Sequence, residues 1–358
     1  MIAAADGPAP VPWAVLDQFA RACARAVGLL EADVDFLANA LIKADLRGVD
    51  SHGCSRLPAY ARAIQRSIIN PRPTLRVVHS WEATEVIDGD NSLGTITGQV
   101  AMIRATELAE TSGVGVVSVR NCNHTGMLAA HVTHASDRSM IGFFVSNTPA
   151  IMAPWGGCEP KLGNGPMAYA IPRAPDLPPI ILDMATSATN RGRIREYAES
   201  GRAIPSGWAI DQNGTPTTDA AAALLGAVLP FGGHKGFGLA FINEILSGVL
   251  AGAAFGVEMP REFLRESSTT MDSWRSGHTA LAINVAAFGD PDRFFERLEQ
   301  LVAAVKTSRL SDGSSEILLP GEIEARTNTQ RLKSGIPLRP GTRRRLCELA
   351  TELGISAI

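Results

Sequence analysis

Residues 47–60 carry side chains that together could bind an organic acid and move a proton. The segment contains Ser51, His52, Arg56 and Tyr60. An imidazole exchanges a proton near neutral pH, and a guanidinium binds a carboxylate through two parallel hydrogen bonds. Arg56 lies four residues after His52, so a carboxylate held by Arg56 could present its neighbouring carbon to His52. Tyr60, four residues further on, would share one helix face with Arg56. The spacing predicts acid–base chemistry on a small carboxylate.

Ser51 admits a second chemical interpretation, as a nucleophile activated by His52. Adjacent residues of an extended segment point to opposite sides, however, which separates the two side chains. The nucleophile elbow G-x-S-x-G is also absent, because Val49 and Gly53 stand at the flanking positions. We therefore interpret His52 as a proton-transfer group, with Ser51 orienting either the imidazole or the substrate.

Two further polar clusters lie far from this segment in sequence. His124 follows an apolar strand at 114–119, which predicts a position at a sheet edge, where it could act as a second acid–base group or contact a nicotinamide. Residues 233–236, Gly-His-Lys-Gly, open a predicted helix. Backbone amides and the helix dipole favour anions there, and Lys235 adds a charge, so this is a candidate pyrophosphate site. A glycine-rich helix start with an exposed lysine is the other interpretation.

The sequence predicts no metal site and no standard dinucleotide fingerprint. Carboxylates and histidines lack the spacing of metal ligands, and five scattered cysteines give no zinc pattern. Gly113–Ser118 lacks the third glycine of G-x-G-x-x-G and lies before and within its strand rather than after it. A standard Rossmann unit is therefore disfavoured. Four other histidines lack polar company and are interpreted as structural: His79, His131, His134 and His278.

Composition indicates a folded intracellular protein. The 358 residues are 45% hydrophobic and 19% charged, and their number suggests about two domains. A net charge of -3 offers no basic field for a nucleic-acid backbone, and the basic run Arg343–Arg345 is interpreted as a solvated helix face. Met1–Asp6 lacks the pattern of a secretory signal, and no apolar run approaches the roughly 20 residues of a membrane span. Reduced cysteines and a cytoplasmic location are expected.

Helices fill the first part of the chain, and strands alternate with helices after it. Apolar spacing predicts helices over Trp13–Val27 and Glu31–Leu46, and a third that reaches about Ile68 with Ser55 as its N-cap. Polar or small residues follow predicted strand ends, where α/β proteins bind ligands; these are Asn147–Thr148 and Asp183–Ser187. The other predicted elements are strands at 75–78, 85–88, 114–119, 141–146, 180–182 and 279–286, and helices at 98–112, 127–136, 237–250 and 290–306, with two more near the C-terminus.

In this order the clusters resemble the malate/L-lactate dehydrogenase family that is distinct from the better-known lactate dehydrogenases. The resemblance spans about residues 12–335 and rests on six stretches: Arg47–Gly53, Asn121–Gly126, Leu182–Ser187, Gly214–Asp219, Leu229–Gly236 and Pro320–Glu322. It implies an NAD- or NADP-dependent oxidoreductase of small 2-hydroxy or 2-oxo carboxylates that forms homodimers. The implied fold is α/β. A non-Rossmann NAD(P)-binding domain, residues 79–305, has a mixed or antiparallel sheet, and a helical N-terminal domain, residues 1–78, is joined by the C-terminal helices, residues 306–358.

The resemblance also implies roles for individual residues. The implied catalytic residues are His52 with Ser51 beside it and, competing for the acid–base role, His124. The predicted substrate-binding residues are Arg56, Tyr60, Asn147, Thr148 and Asn164. Asn164 stands where many relatives have a substrate-contacting threonine, which leaves the substrate open. The predicted cofactor-binding residues are His124, Thr125, Gly126, Met127, Leu128, Asp183, Met184, Ala185, His234, Lys235, Gly321 and Glu322.

Two other functions stay open. An NADPH-dependent reductase of cyclic imines uses the same scaffold, although Asn123–Gly126 is closer to the hydroxy-acid branch. A ligand-binding protein that kept the fold without the activity is the third candidate. No acidic residue follows a recognisable fingerprint, so the sequence gives no preference between NAD and NADP.

Overall fold

The structure is a computed structural model that describes residues 9–260 and 272–358. Met1–Asp6, on which the expectation about a secretory signal rests, lies outside the described residues. Within them, no helix has the length and apolar character needed to span a membrane. The helices are α1 Trp13–Ala26, α2 Glu31–Leu46, α3 Leu57–Gln65, α4 Gly94–Ser112, α5 Ala129–Ser136, α6 Arg191–Glu199, α7 Ala220–Leu225, α8 His234–Glu244, α9 Pro291–Lys306, α10 Glu322–Ser334 and α11 Pro340–Leu353. The strands are β1 Arg76–Trp81, β2 Thr84–Ser92, β3 Val114–Cys122, β4 Met140–Ser146, β5 Met167–Ile171, β6 Ile180–Met184, β7 Ala209–Ile210, β8 Pro216–Thr217, β9 Ala227–Val228 and β10 Ser276–Asn284.

Helices α1, α2, α3 and α11 form a layer around one apolar core. The buried residues of α1 repeat at three- and four-residue spacing, through Leu16, Phe19 and Cys23, as in any amphipathic helix. They join one cluster with buried residues of α2 and α3 and with Leu346 and Leu349 of α11. The two ends of the chain therefore share a core. Residues of the α/β part also enter this cluster, and the domain division at residues 78 and 306 stays a prediction.

The third helix starts later than predicted, and Ser55 does not cap it. Two 3₁₀ turns, Asp50–His52 and Cys54–Arg56, precede α3. Pro58 then occupies the first turn of α3, where its missing N–H is not needed. The Ser55 hydroxyl donates instead to the carbonyl oxygen of Asp50, at 2.6 Å. It therefore closes the turn that carries His52.

A seven-stranded sheet forms the centre of the α/β part, in the order β1-β2-β3-β10-β4-β5-β6. Its β2–β3 pair is parallel, and the other neighbouring pairs are antiparallel. This confirms the predicted non-Rossmann α/β fold with a mixed sheet. Helices α4 and α5 pack against the sheet around fully buried Met102, Val117 and Phe144. The sequence-based prediction lacks β5 and begins α4 four residues too late.

A smaller lobe follows β6 and has no counterpart in the sequence-based prediction. Strands β7, β8 and β9 form a three-stranded sheet in the order β8-β7-β9. Its core contains Met152, Ile194 of α6 and Val228. Helix α8 starts three residues before the predicted position and continues into a π-helical turn, Ile245–Val249. The predicted helix at 237–250 therefore contains two helical geometries.

Candidate active site

One cavity of about 800 Å³ lies where the helical layer meets the sheet. The 3₁₀ turns before α3, the loop after β3, the ends of β4 and β6, and the loop before α10 all contribute to its wall. Most predicted site residues line it: Ser51, His52, Arg56, His124, Thr125, Gly126, Met127, Leu128, Asn147, Thr148, Asn164, Asp183, Met184, Ala185 and Gly321. The fold thus brings together residues from distant parts of the sequence.

The 3₁₀ turns hold His52 and Arg56 on the cavity wall. Ser51 Oγ lies 2.8 Å from His52 Nδ1, and Arg56 Nε donates to the carbonyl oxygen of Ser51 at 2.6 Å. Beneath them, the buried carboxylate of Asp45 accepts from the backbone N–H of Cys54 at 2.8 Å. Among the described residues no carboxylate pairs with Arg56. The terminal nitrogens of its guanidinium are therefore available to an acid.

His124 is held from three sides. The Tyr60 hydroxyl lies 2.6 Å from its Nδ1, the His52 ring stacks on it with 5.5 Å between centroids, and Trp274 meets it edge-on at 5.6 Å. Tyr60 is 1% exposed and is not part of the cavity wall. In this structure the Tyr60 hydroxyl contacts the imidazole, and the predicted contact of Tyr60 with a substrate carboxylate stays a prediction. Because Tyr60 occupies Nδ1, the Nε2 atom is left for chemistry.

The electrostatics of this wall combine one cation with two neutral imidazoles. Burial, and then the charge of Arg56, lowers the pKa of His52 to about 3. The same causes, together with His52, lower the pKa of His124 well below its usual value. Burial also lowers the pKa of Arg56, but a guanidinium starts high enough to stay charged. Burial raises the pKa of Tyr60, so its hydroxyl stays protonated.

Asn147 and Asn164 differ in what they can offer a substrate. Asn147 Oδ1 accepts from the N–H of Gly277 at 2.9 Å, and its Nδ2 donates to the carbonyl oxygen of Ala254 at 2.8 Å and to Glu244 at 3.1 Å. The Asn147 amide is thus engaged by the protein itself, and its predicted contact with a substrate stays a prediction. Asn164 Oδ1 accepts from the Thr148 hydroxyl at 2.9 Å, and the Asn164 amide N–H groups have no hydrogen-bond partner among the described residues.

Another part of the wall carries a carboxylate and a second arginine. Asp183 accepts from the backbone N–H of Ala129 at 2.7 Å. Its side chain is open to the cavity, and desolvation by the surrounding protein raises the pKa of its carboxyl to about 6. Arg47 also lines the cavity, and its Nε is buried without a hydrogen-bond partner in the described part of the chain. Sequence reasoning did not assign Arg47, Trp274 or Glu324 to the site. Arg47 begins the segment that carries His52, and Glu324 lies two residues after the predicted Glu322, so both had a usable signal, whereas Trp274 stands alone in sequence.

Three predicted cofactor residues do not line the cavity. His234 and Lys235 begin α8 and are exposed. The N–H of Phe231 donates to the carbonyl oxygen of Thr186 at 3.0 Å, so the start of α8 packs beside the residue that follows Ala185. Glu322 pairs with Lys306 at 2.7 Å. The roles of these three residues in cofactor binding stay predictions.

The polar side chains of the described residues form no candidate metal site. No cluster of three or more His, Cys, Asp or Glu residues there could hold a metal ion. His131 and His278 are fully buried and both stack on Phe144, at 5.0 and 5.1 Å between centroids. Their packing suits a structural role.

Comparison with known proteins identifies the family. The family model described as malate/L-lactate dehydrogenase matches residues 11–347. The chain is 39% identical to L-sulfolactate dehydrogenase of Methanocaldococcus jannaschii, over 92% of this chain and 93% of that protein. A solved structure of sulfolactate dehydrogenase from that organism has a TM-score of 0.89 at 36% identity and covers 97% of this chain and 98% of its own.

Two more distant relatives are named for different reactions. Malate dehydrogenase of Pyrococcus horikoshii is 34% identical over 93% of this chain and 92% of that protein. The structure of delta1-piperideine-2-carboxylate reductase from Pseudomonas syringae pvar. tomato has a TM-score of 0.84 at 26% identity and covers 96% of this chain and 100% of its own. The chain is therefore an oxidoreductase, and it belongs to the malate/L-lactate dehydrogenase family.

Proposed function

We propose that this enzyme transfers a hydride between NAD or NADP and a small 2-hydroxy or 2-oxo carboxylate. The observation that carries the proposal is the guanidinium of Arg56, without a carboxylate partner in the described structure, on the same cavity wall as His52 and His124. An acid bound to Arg56 by two parallel charge-assisted hydrogen bonds would place its carbinol carbon beside the imidazoles. The relatives named for sulfolactate and malate act on acids of this class.

The rest of the wall fits a dinucleotide cofactor. Arg47 Nε is a buried donor without a partner among the described residues, and a phosphate or ribose oxygen would satisfy it. Asp183 presents a carboxylate that can accept hydrogen bonds from hydroxyl or amide groups. The residues proposed to hold the cofactor are those predicted from sequence that line the cavity, with Arg47 added. His234, Lys235 and Glu322 remain proposed contacts for the parts of a cofactor that reach beyond it.

In the proposed mechanism His124 moves the proton. A bound oxidised nicotinamide would supply the hydride acceptor. Arg56 fixes the carboxylate, and Tyr60 fixes His124 Nδ1, so His124 Nε2 takes the hydroxyl proton as the carbinol becomes a carbonyl and returns it in the reverse direction. The sequence favours His52 for this role. We prefer His124 because its hydrogen-bond partner is buried, whereas Ser51, the partner of His52, is exposed.

A substrate panel tests the proposed function. Small 2-hydroxy acids with oxidised cofactor, and 2-oxo acids with reduced cofactor, should give turnover followed by nicotinamide absorbance. Arg56→Lys should raise KM for the acid by about tenfold or more and change kcat less, because a point charge replaces the two-point fork. Absence of turnover with every acid, while both cofactors still bind, would contradict the proposal. Unchanged kinetics in Arg56→Lys would remove Arg56 from the site.

Reduction of a cyclic imino acid is the second candidate function. It is favoured by the likeness to the Pseudomonas syringae reductase along 96% of the chain. A cyclic imino acid also carries a carboxylate that Arg56 could bind. Adding piperideine- and pyrroline-type imino acids to the panel separates the two functions, because the proposal expects the 2-oxo acids to react with higher kcat/KM.

We also propose that the enzyme is a homodimer that buries the outer face of α8. This face and the π-helical turn expose a row of large apolar side chains: Leu239, Phe241, Ile242, Ile245, Val249 and Leu250. An apolar surface of this extent on an ordered helix is typical of a subunit contact.

Substitution within that row should dissociate the dimer. Ile242 is 53% exposed in the single chain, and Ile242→Glu would bury an unpaired charge between subunits. Light scattering coupled to gel filtration should report a dimer for the wild type and a monomer for Ile242→Glu. Leu225→Glu, on α7, is the matched control, since Leu225 is 72% exposed and lies outside the row. A monomeric wild type, or an Ile242→Glu variant that stays dimeric, would contradict the assignment.

A further inference from the structure

The carboxylate closest to Arg56 along the chain, that of Asp50, is bound by an arginine of the C-terminal helix α10. Arg331 Nη1 donates to Asp50 Oδ1 at 2.5 Å, and its Nη2 lies 3.5 Å from Oδ2. Arg331 Nη1 also donates to the backbone carbonyl oxygen of Asp45, near the end of α2. The side chain of Arg331 is 13% exposed and that of Asp50 is 37% exposed. The ion pair is therefore partly shielded from water, which makes it stronger than a fully exposed pair.

Asp50 and Arg56 lie at the two ends of the 3₁₀ turns that precede α3, and hydrogen bonds bring these ends together. The Ser55 hydroxyl donates to the carbonyl oxygen of Asp50 at 2.6 Å. Arg56 Nε donates to the carbonyl oxygen of Ser51, also at 2.6 Å. The guanidinium of Arg56 therefore lies against the residue that follows Asp50. A carboxylate at residue 50 that lost its partner would have this guanidinium close by.

A carboxylate that paired with Arg56 would compete with the substrate. Arg56 is the cation that binds the acid in the proposed function, and among the described residues no carboxylate pairs with it. Two groups of one short segment meet at a high effective concentration. A side-chain carboxylate would also make the same charge-assisted hydrogen bonds as the carboxylate of the acid. Asp50, if released, would thus be an internal competitor for the substrate.

We propose that Arg331 is a positioning residue that holds the Asp50 carboxylate away from Arg56 and so keeps Arg56 available to the acid. This inference rests on the proposed function and adds a residue to it. Arg331 is not part of the described cavity wall, so it acts through Asp50. Substrate binding at the turns before α3 then depends on a helix that follows 281 residues later in the chain.

The test measures KM and kcat for the 2-hydroxy acid that the wild type turns over best. Arg331→Gln frees the Asp50 carboxylate, and KM should rise by about 10- to 100-fold, the value of a hydrogen bond to a charged group. Asp50→Asn has no charge to compete and keeps an acceptor oxygen for Arg331, so KM should rise by about threefold at most, as for a neutral hydrogen bond. The double variant should have the KM of Asp50→Asn, because the competing carboxylate is gone.

A defect of folding gives a different result. Loss of folded protein lowers the active fraction and therefore kcat, whereas competition for Arg56 raises KM and is reversed by Asp50→Asn. Arg326→Gln is the matched control, since Arg326 lies on another face of α10 and pairs with Glu316 at 2.6 Å. It should leave both constants unchanged. Arg331→Lys keeps the charge but loses the two-point fork, so KM should rise by a smaller factor, which Asp50→Asn should again reverse.

Equal KM values for Arg331→Gln and Asp50→Asn would overturn the inference while the proposed function stands. A double variant whose KM is as high as that of Arg331→Gln would do the same. A change confined to the KM of the cofactor would also overturn it, by assigning the effect to the cofactor side of the cavity. Wild type that turns over no 2-hydroxy or 2-oxo acid would instead refute the proposed function.

Discussion

Replacing His124 by alanine should lower kcat for a 2-hydroxy acid by about 10²–10⁴-fold, the usual contribution of a positioned acid–base group. The ring is fixed by the Tyr60 hydroxyl at 2.6 Å and packed between His52 and Trp274. A water molecule that entered the vacated space would lack both the basicity and the orientation of the imidazole. The measurement is the initial rate of cofactor reduction at saturating acid, with KM for the acid determined separately.

Two companion variants decide which imidazole moves the proton. His52→Ala should lower kcat at least tenfold less than His124→Ala, because its partner Ser51 does not fix it in the interior. Tyr60→Phe keeps the shape of the ring but removes the hydroxyl, so kcat should fall by an intermediate factor. If His52→Ala abolishes turnover and His124→Ala preserves it, the role belongs to His52, as the sequence favours. Preserved turnover in both variants would contradict proton transfer by either imidazole.

Gly53→Ala should destabilise the protein by about 2–5 kcal/mol and abolish most of its activity. A Cβ atom at residue 53 would overlap the carboxylate of Asp45, which is 2% exposed and holds the N–H of Cys54. Relief requires either a shift of the turn that carries His52 or loss of the buried hydrogen bond, and each of these is costly. Denaturant unfolding gives the free energy of unfolding, and the same preparation is assayed for turnover.

A control and a double variant show whether the overlap is the cause. Gly341→Ala, near the start of α11, adds a methyl group where no atom lies within 4 Å, and it should be neutral or slightly stabilising. Asp45→Ala alone removes the Cys54 partner and should also destabilise the protein. Combined with Gly53→Ala, it should destabilise less than the sum of the two changes, because the overlap is gone. Strict additivity would contradict the proposed clash.

Long elements with a clear apolar period are those that the sequence predicts well. Helices α1 and α2 match their predicted ranges within one residue, because their buried faces repeat at helical spacing. The sequence does not predict the lobe at β7–β9, because each of its strands has only two residues. Two residues are too few to show the alternation of apolar and polar side chains that marks a strand. The sequence predicts a late start for α8 because Gly236 and Gly238 lower helix propensity. In the structure, Gly236 packs against Phe231 and Thr186, and this contact fixes the earlier start of the helix.

The candidate site was predictable where its residues are neighbours in sequence. His52 and Arg56 share one segment, and residue types and spacing were enough to assign them to a site. The contact of Tyr60 with His124 could not be predicted, because a four-residue spacing fixes a helix face and not which partner a buried hydroxyl meets. Trp274 contacts His124 only because the tertiary fold brings the two residues together, and no local sequence pattern predicts that contact.

The guanidinium of Arg56 has a further consequence for how the enzyme responds to an empty or occupied cavity. Its positive charge helps to keep both histidines weak proton acceptors. An acid that docks there supplies a compensating negative charge and raises the affinity of both rings for a proton. Burial, the larger cause of both shifts, remains, so docking restores only the part of the basicity that the charge of Arg56 removes. The bound acid would thereby make His52 and His124 better proton acceptors. Without it, the two histidines would exchange protons with solvent less readily.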